Sequence, residues 1–247
     1  MLNSRLTYDS TANAGELFGR LEIPLNIFVK GNIGLGSLSG GHLYDEDWVI
    51  FGGTVPYSNT LSEPVKGRID YATLDLGYDF FRGAGYKLGA FIGYNFYTEK
   101  KSAYGCSQIA NPLSDCVPAI PSSVLVISED DVWKSARIGV SGEVMIADRF
   151  KLGADVAYLP YVTFNGTDKH VLRDLISPES GTERGVQLEG ILSYLVTDQF
   201  SLGIGGRYWR CGRRRTPLRN LAAHPVLARR CRPRPIATAS SSRQHIG

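Results

Sequence analysis

The chain has 247 residues, 43% of them hydrophobic, with 27 Lys and Arg against 24 Asp and Glu. That length can supply one domain or one barrel, and the lack of any run near 18 consecutive apolar residues excludes a membrane-spanning helix. The net charge of +3 does not point to nucleic acid, because nine arginines fall after Arg210, where there is no Asp, Glu or Lys. With those nine set aside, residues 1–210 hold 18 basic against 24 acidic side chains, a net of −6, and also every Phe, Tyr and Trp.

From the N-terminus, Met1-Leu2-Asn3-Ser4-Arg5-Leu6 runs straight into a strand-like pattern. An apolar signal segment is missing there, so for an exported protein we expect a shortened N-terminus or a misassigned start. The first two strands are predicted over about 5–23 and 27–35, the second with Ile27, Val29, Ile33 and Leu35 on one face. Period-2 alternation then becomes regular. In 71–80, Ala72, Leu74, Leu76, Tyr78 and Phe80 oppose Tyr71, Thr73, Asp75, Gly77 and Asp79. The pattern recurs over 86–96, 136–146, 150–158, 186–196 and 200–208, making eight strands that end at Trp209. Ten-residue strands whose apolar face ends in Tyr or Phe, with charges and glycines opposite, suit a tilted crossing of a bilayer around a polar interior. Strands of a soluble sandwich are shorter, about five or six residues.

Short links at Pro24-Leu25-Asn26, Arg82-Gly83-Ala84-Gly85, Asp148-Arg149 and Asp198-Gln199 alternate with long ones near 37–67, 98–132 and 165–184. Periplasmic turns and extracellular loops differ in this way in outer-membrane barrels. The expected fold is therefore all-β, an antiparallel transmembrane β-barrel of outer-membrane type over residues 1–210. Residues 211–247, Arg-rich and without aromatics, are expected to be an irregular tail from an out-of-frame or recombined end. Cys106 and Cys116 share one polar loop, which is compatible either with a disulfide outside the cytoplasm or with two separate thiols. Nothing is read from Cys211 and Cys231.

Two clusters carry chemistry. Asp45-Glu46-Asp47-Trp48 lies beyond the strand that begins at Ile27, and in extended chain Asp45 and Asp47 point to one side. Paired carboxylates can share a proton or hold a polarised water. Asp168-Lys169-His170 lies beyond the strand that begins at Phe150. A carboxylate beside an imidazole fixes its tautomer and raises its basicity, as a general base requires. Alone, an acidic loop of the first kind is more often solvated or bound to a divalent cation, and a surface Asp-x-His is usually incidental. His42 stands beside the first cluster; His224 and His245 belong to the tail. The chain shows no Ser or Cys nucleophile constellation and no His-rich set suited to a catalytic metal.

The two clusters in this order, on the rims of two outward-going strands, resemble the omptin family of outer-membrane proteases. Gly31-Asn32-Ile33-Gly34 through His42-Leu43-Tyr44-Asp45-Glu46-Asp47-Trp48 is similar to the family's strand leading into an Asp-x-Asp-Trp motif. Gly77-Tyr78 through Tyr86-Lys87-Leu88-Gly89-Ala90-Phe91-Ile92-Gly93-Tyr94 is similar to its central hairpin. Ile138-Gly139-Val140-Ser141-Gly142 to Phe150-Lys151-Leu152-Gly153, then Asp168-Lys169-His170, resembles the hairpin that ends in its Asp-x-His.

The resemblance implies a ten-stranded, monomeric barrel in the cell outer membrane that cleaves peptide or protein substrates at the surface. His170, oriented by Asp168, would activate a water held with the help of Asp45 and Asp47. It implies no cofactor beyond lipopolysaccharide as an activating lipid, and no nucleic-acid partner. The chain departs from the family at Gly166, where an acidic pocket residue is expected, and at Phe96 and Thr98, where lipopolysaccharide contacts are charged. Eight strands against ten also implies that the first and last are missing. The competing reading is a non-catalytic barrel serving as adhesin, surface-binding or envelope-structural protein; a diffusion pore is disfavoured because so few strands leave an interior filled by side chains.

Overall fold

A computed structural model describes residues 4–48, 56–110, 116–197, 200–213 and 236–239. One antiparallel ten-stranded sheet contains β1 (Ser4–Ile23), β2 (Ile27–Trp48), β3 (Pro56–Ser62), β4 (Val65–Gly83), β5 (Tyr86–Gln108), β6 (Ile120–Ala147), β7 (Phe150–His170), β8 (Leu175–Leu195), β9 (Ser201–Arg213) and β10 (Ile236–Ala239). Both β3 and β4 pair with β2 on one side and β5 on the other, so together they act as a single descending strand. All eight expected strands are present, and β3 and β10 add to them. The turns at 24–26, 84–85 and 148–149 are short, as expected; Asp198-Gln199 lies outside the described residues.

The sheet curls on itself. Arg207 of β9 reaches Glu16 of β1 at 2.9 Å, and Lys30 of β2 pairs with Asp155 of β7. Side chains on one face of a single sheet can pair in this way only if that face encloses a common interior. β10 lies alongside β1, and no hydrogen-bonded ladder joins the two among the described residues. The outer face is the apolar set predicted from alternation: Leu74, Leu76, Tyr78 and Phe80 on β4, Ile92 and Tyr94 on β5, and Ile138 and Val140 on β6 are all exposed. The partner set Tyr71, Thr73, Asp75 and Asp79 is buried. A barrel in lipid inverts the usual arrangement, with hydrocarbon as solvent outside and polar groups inside.

Inside, the lower half is an ion-pair network. Arg20 makes two hydrogen bonds to Asp79, at 3.0 and 2.8 Å, and its guanidinium also lies over the ring of Phe28. Arg137 faces Asp75 at 3.5 Å. Gly77 is required here, because a Cβ would collide with Cζ of the buried Phe28 ring. Arg207 is held between Glu16 and Glu189. Removing one partner of such a buried group leaves uncompensated charge, so Arg207→Ala is expected to lower unfolding free energy by about 3–5 kcal/mol. Urea unfolding in detergent micelles measures this; a change under about 1 kcal/mol, the scale of an exposed pair, would show that Arg207 is solvated.

Above the network lies a tier of aromatic rings. Tyr71, Tyr97 and Trp133 on neighbouring strands, Phe164 beside Trp133, and Trp209 of β9 touch in sequence, with centroids 5.1 to 6.3 Å apart. These rings bridge β4 through β7 and reach β9 across the interior.

One expectation is corrected. The long connections near 37–67, 98–132 and 165–184 are largely strand: β2 continues to Trp48, β5 to Gln108, β6 begins at Ile120, and β7 and β8 meet across a single 3-10 turn at Val171–Arg173. Beyond the lipid both faces are partly polar, so the alternation that marks a membrane strand fades although the ladder continues. The extension also has its own small apolar cluster of Leu43, Val65, Ala103, Val126 and Ile127. Cys106 in that cluster is disulfide-bonded to Cys116, with Cα atoms 5.6 Å apart. Some strand also lies beyond residue 210. β9 passes residue 210 to Arg213, and Ile236–Ala239 pairs with Ile204–Arg207, so the tail is not free of strand. An unpaired β9 edge in hydrocarbon would leave backbone groups unsatisfied, and this short apolar segment covers part of it. The other tail residues singled out above, including His224, Cys231 and His245, lie outside the described residues.

Candidate active site at the barrel mouth

The site stands clear of the bilayer. The last outward-facing aromatic on β7 is Tyr161, and nine residues of strand at roughly 3.3 Å each separate it from His170. On β2 the last outward-facing large apolar side chain is Leu35, ten residues before Asp45. The catalytic candidates thus ride on rigid strand ends, contrary to the expectation that they lie in loops.

Asp168 and His170 share the inner face of β7 by their i, i+2 spacing, and His170 Nε2 lies 3.1 Å from Asp168 Oδ2. Asp168 is buried, opposite Glu129 of β6 and Ser177 of β8. His170 faces Ile127 and Leu175 in the same ladders. Across the mouth, Asp45 is buried on β2 between Leu6 of β1 and Thr60 of β3, and Asp47 stands beside Ser58. The side chain of Trp48 lies outside the described set. Asp45 and Asp168 each keep one buried carboxylate oxygen, Oδ1, with no hydrogen-bond donor among the described residues.

Charge links the two halves. Burial pushes the Asp45 carboxyl up to about 7, helped by the Asp47 and Asp168 carboxylates and opposed by His170 and Arg173. The hydrogen bond to Asp168 holds the His170 imidazole above its usual 6.5; burial opposes the shift, while the Asp168 and Asp45 charges add to it. The Asp45 carboxyl thus feels the charges of Asp47, Asp168 and His170. An imidazole whose Nε2 is engaged by Asp168 presents Nδ1 as its free base, and Asp45 near neutral pH can hold or give a proton.

Other predicted positions fall elsewhere. His42 is on the outer face, edge-to-face with Tyr44 at 5.5 Å and 4.0 Å from Glu63, away from the dyad. Phe96 is part-buried, and Thr98 donates to the Asp70 backbone oxygen at 3.3 Å. Gly166 lies opposite Asp131 of β6, and a Cβ there would sit 2.6 Å from Asp131 Oδ1. Sequence reasoning missed the neighbours of the dyad: Glu99 and Lys101 on β5, Glu129 and Asp131 on β6. Each is an i, i+2 charged pair, the same signal as Asp45 and Asp47, but they lay in a stretch read as loop.

The fold is that of an outer-membrane β-barrel, with buried Asp168 against half-buried His170 on β7 and the Asp45 and Asp47 carboxyls on β2 at the same end. A family model, the Omptin family, matches residues 16–222, and the chain belongs to that family. Among solved structures it is similar to the crystal structure of outer membrane protease OmpT from Escherichia coli. The TM-score is 0.63 at 15% identity, covering 85% of this chain and 82% of that one. No curated protein sequence matches the chain.

Proposed function

We propose that this chain is an endopeptidase of the outer-membrane surface that hydrolyses peptide bonds with a water activated by His170. The Asp168–His170 contact at 3.1 Å, with both charges felt by Asp45, carries the reading. Family membership and likeness to a barrel described as a protease support it.

In the proposed reaction, Asp168 accepts from Nε2 and fixes the imidazole. Nδ1 takes a proton from a water held between the imidazole and the Asp45 and Asp47 carboxyls. The resulting hydroxide adds to the scissile carbonyl carbon. Collapse of the tetrahedral adduct breaks the C–N bond, and the imidazolium returns its proton to the departing amine. No acyl-enzyme forms. Lipopolysaccharide around the extended strands is the expected lipid partner, and the barrel is expected to act as a monomer.

A second reading, a non-catalytic surface-binding barrel, draws on one observation. Val171, Leu172, Leu175 and Ile176 are exposed at the outer tip of the β7–β8 hairpin, far from lipid. Exposed apolar groups at such a position suit a protein partner. The full chain, refolded with lipopolysaccharide and offered a peptide library, separates the two. The peptidase reading expects discrete cuts that resist chelators and serine- or cysteine-directed reagents. Intact peptides throughout would reject it in favour of binding.

A further inference from the structure

On the far side of Glu129 from Asp168, a lysine sits where a cationic guest would be welcome. Lys101 Nζ is 3.2 Å from Glu99, 3.3 Å from Asp131 and 3.7 Å from Glu129, and 4.6 Å from the ring centroid of Tyr8. Three carboxylates and one aromatic face form a receptor for an ammonium group. Lys101, Glu129 and Asp131 are nearly fully buried. In register, Glu129 stands opposite Asp168, and Asp131 opposite Gly166.

The bare position at Gly166 fits the same picture. The Asp131 carboxylate leans into the space that a side chain at 166 would fill. The acidic group next to the dyad is thus supplied from β6, not β7, and is already matched by a cation of the chain itself.

We propose that Lys101 is a built-in occupant of the cation pocket beside the Asp168–His170 pair, and that it sets specificity by excluding a substrate's basic side chain from that pocket. This rests on the peptidase reading for its consequence in cleavage, but the pocket itself can be tested without catalysis. A truncated Lys101 leaves room with the length of an alkylammonium beside the Glu99, Glu129 and Asp131 carboxylates. A basic substrate side chain would then gain the partners that Lys101 holds in the native chain, and a neutral one would not.

The test uses the full chain refolded in lipopolysaccharide-containing micelles, as wild type and as Lys101→Ala. Thermal unfolding is followed with n-butylammonium chloride, against n-butanol and sodium chloride at matched concentration. The variant is expected to rise saturably in Tm with butylammonium alone, and the wild type not to respond. Equal responses, or none in the variant, would overturn the pocket. Should Lys101→Ala not refold, Lys101→Ala with Glu129→Gln leaves one carboxylate fewer uncovered and reads the same way. In parallel, peptides differing only in Lys against Gln beside the scissile bond are compared. The ratio of kcat/KM for Lys over Gln is expected to rise at least about tenfold in the variant, the scale of one gained buried charge pair. A wild type that favours Lys as strongly as the variant does would overturn the exclusion. If no form cuts any peptide, the peptidase reading fails and the butylammonium titration alone decides the pocket.

Discussion

Replacing His170 with Ala is expected to lower kcat/KM for peptide hydrolysis by about 10² to 10⁴, the contribution of a positioned general base. The loss should fall on kcat, because His170 acts on water and not on the bound peptide. Folding should be little affected: His170 stands at the end of β7, and its partners across the ladder, Ile127 and Leu175, are apolar. Asp168→Asn should also lose rate, because an amide cannot favour the imidazolium that forms as water is deprotonated. The acid limb gives a further check. His170 must be neutral to accept a proton, and the hydrogen bond it donates to Asp168 holds it protonated above pH 6.5. The rate should therefore fall as pH drops through a value higher than that. The same shift makes His170 a stabilising group below pH 6.5, a contribution lost as pH rises through its folded value. Unchanged cleavage in His170→Ala, with the fold checked by circular dichroism, would reject the mechanism.

Asp45→Asn is expected to have the second large effect, with stability and activity moving in opposite directions. In the unfolded chain this carboxyl releases its proton near pH 3.8; in the folded mouth it does so at about 7. Between those values the folded state binds the extra proton, so stability falls as pH rises and stays at its lower level above 7. Asn cannot ionise and escapes that fall. The variant should match wild type below pH 4, pull ahead between 4 and 7, and at pH 8 be more stable by about 2–4 kcal/mol, at about 1.36 kcal/mol per unit. Its kcat/KM should drop by about 10²-fold or more, since an amide cannot share the proton of the water or the imidazole. Urea unfolding across pH 4–8, paired with initial rates, tests both. A variant less stable than wild type at pH 8 would mean that Asp45 is a structural acceptor and not a strained functional acid.

Such strain is the usual mark of a site, and it bears on what was legible from sequence. The lipid-facing register could be read because hydrocarbon enforces strict alternation: Leu74, Leu76, Tyr78 and Phe80 were assigned to the outer face, and all four are exposed. The interior could be read only as polar. Which charges meet across it, as Lys30 does with Asp155 and Arg207 with Glu16, depends on curvature that no local pattern encodes. Above the bilayer the signal failed for a different reason. There β5 and β6 pair through Glu99–Asp131 and Lys101–Glu129, and strands polar on both faces look like loop. Asp45, Asp47, Asp168 and His170 could be singled out as candidates because their spacing carries chemistry whether the backbone is loop or strand. Lys101 was missed because its meaning lies in its neighbours on another strand and not in its own motif. The short β10 at Ile236–Ala239 was missed because four residues are too few to show a period.

The most direct test of the account is mass spectrometry of a peptide library digested in 18O-enriched water by the refolded chain with lipopolysaccharide, at pH 7–8, with and without a competing amine nucleophile. Direct attack by a His170-activated water predicts discrete cuts whose new C-termini carry one solvent oxygen, and no product ligated to the amine. Amine-ligated products would reveal an acyl-enzyme and contradict the role given to the Asp168–His170 pair, and a library left uncut would contradict the peptidase itself.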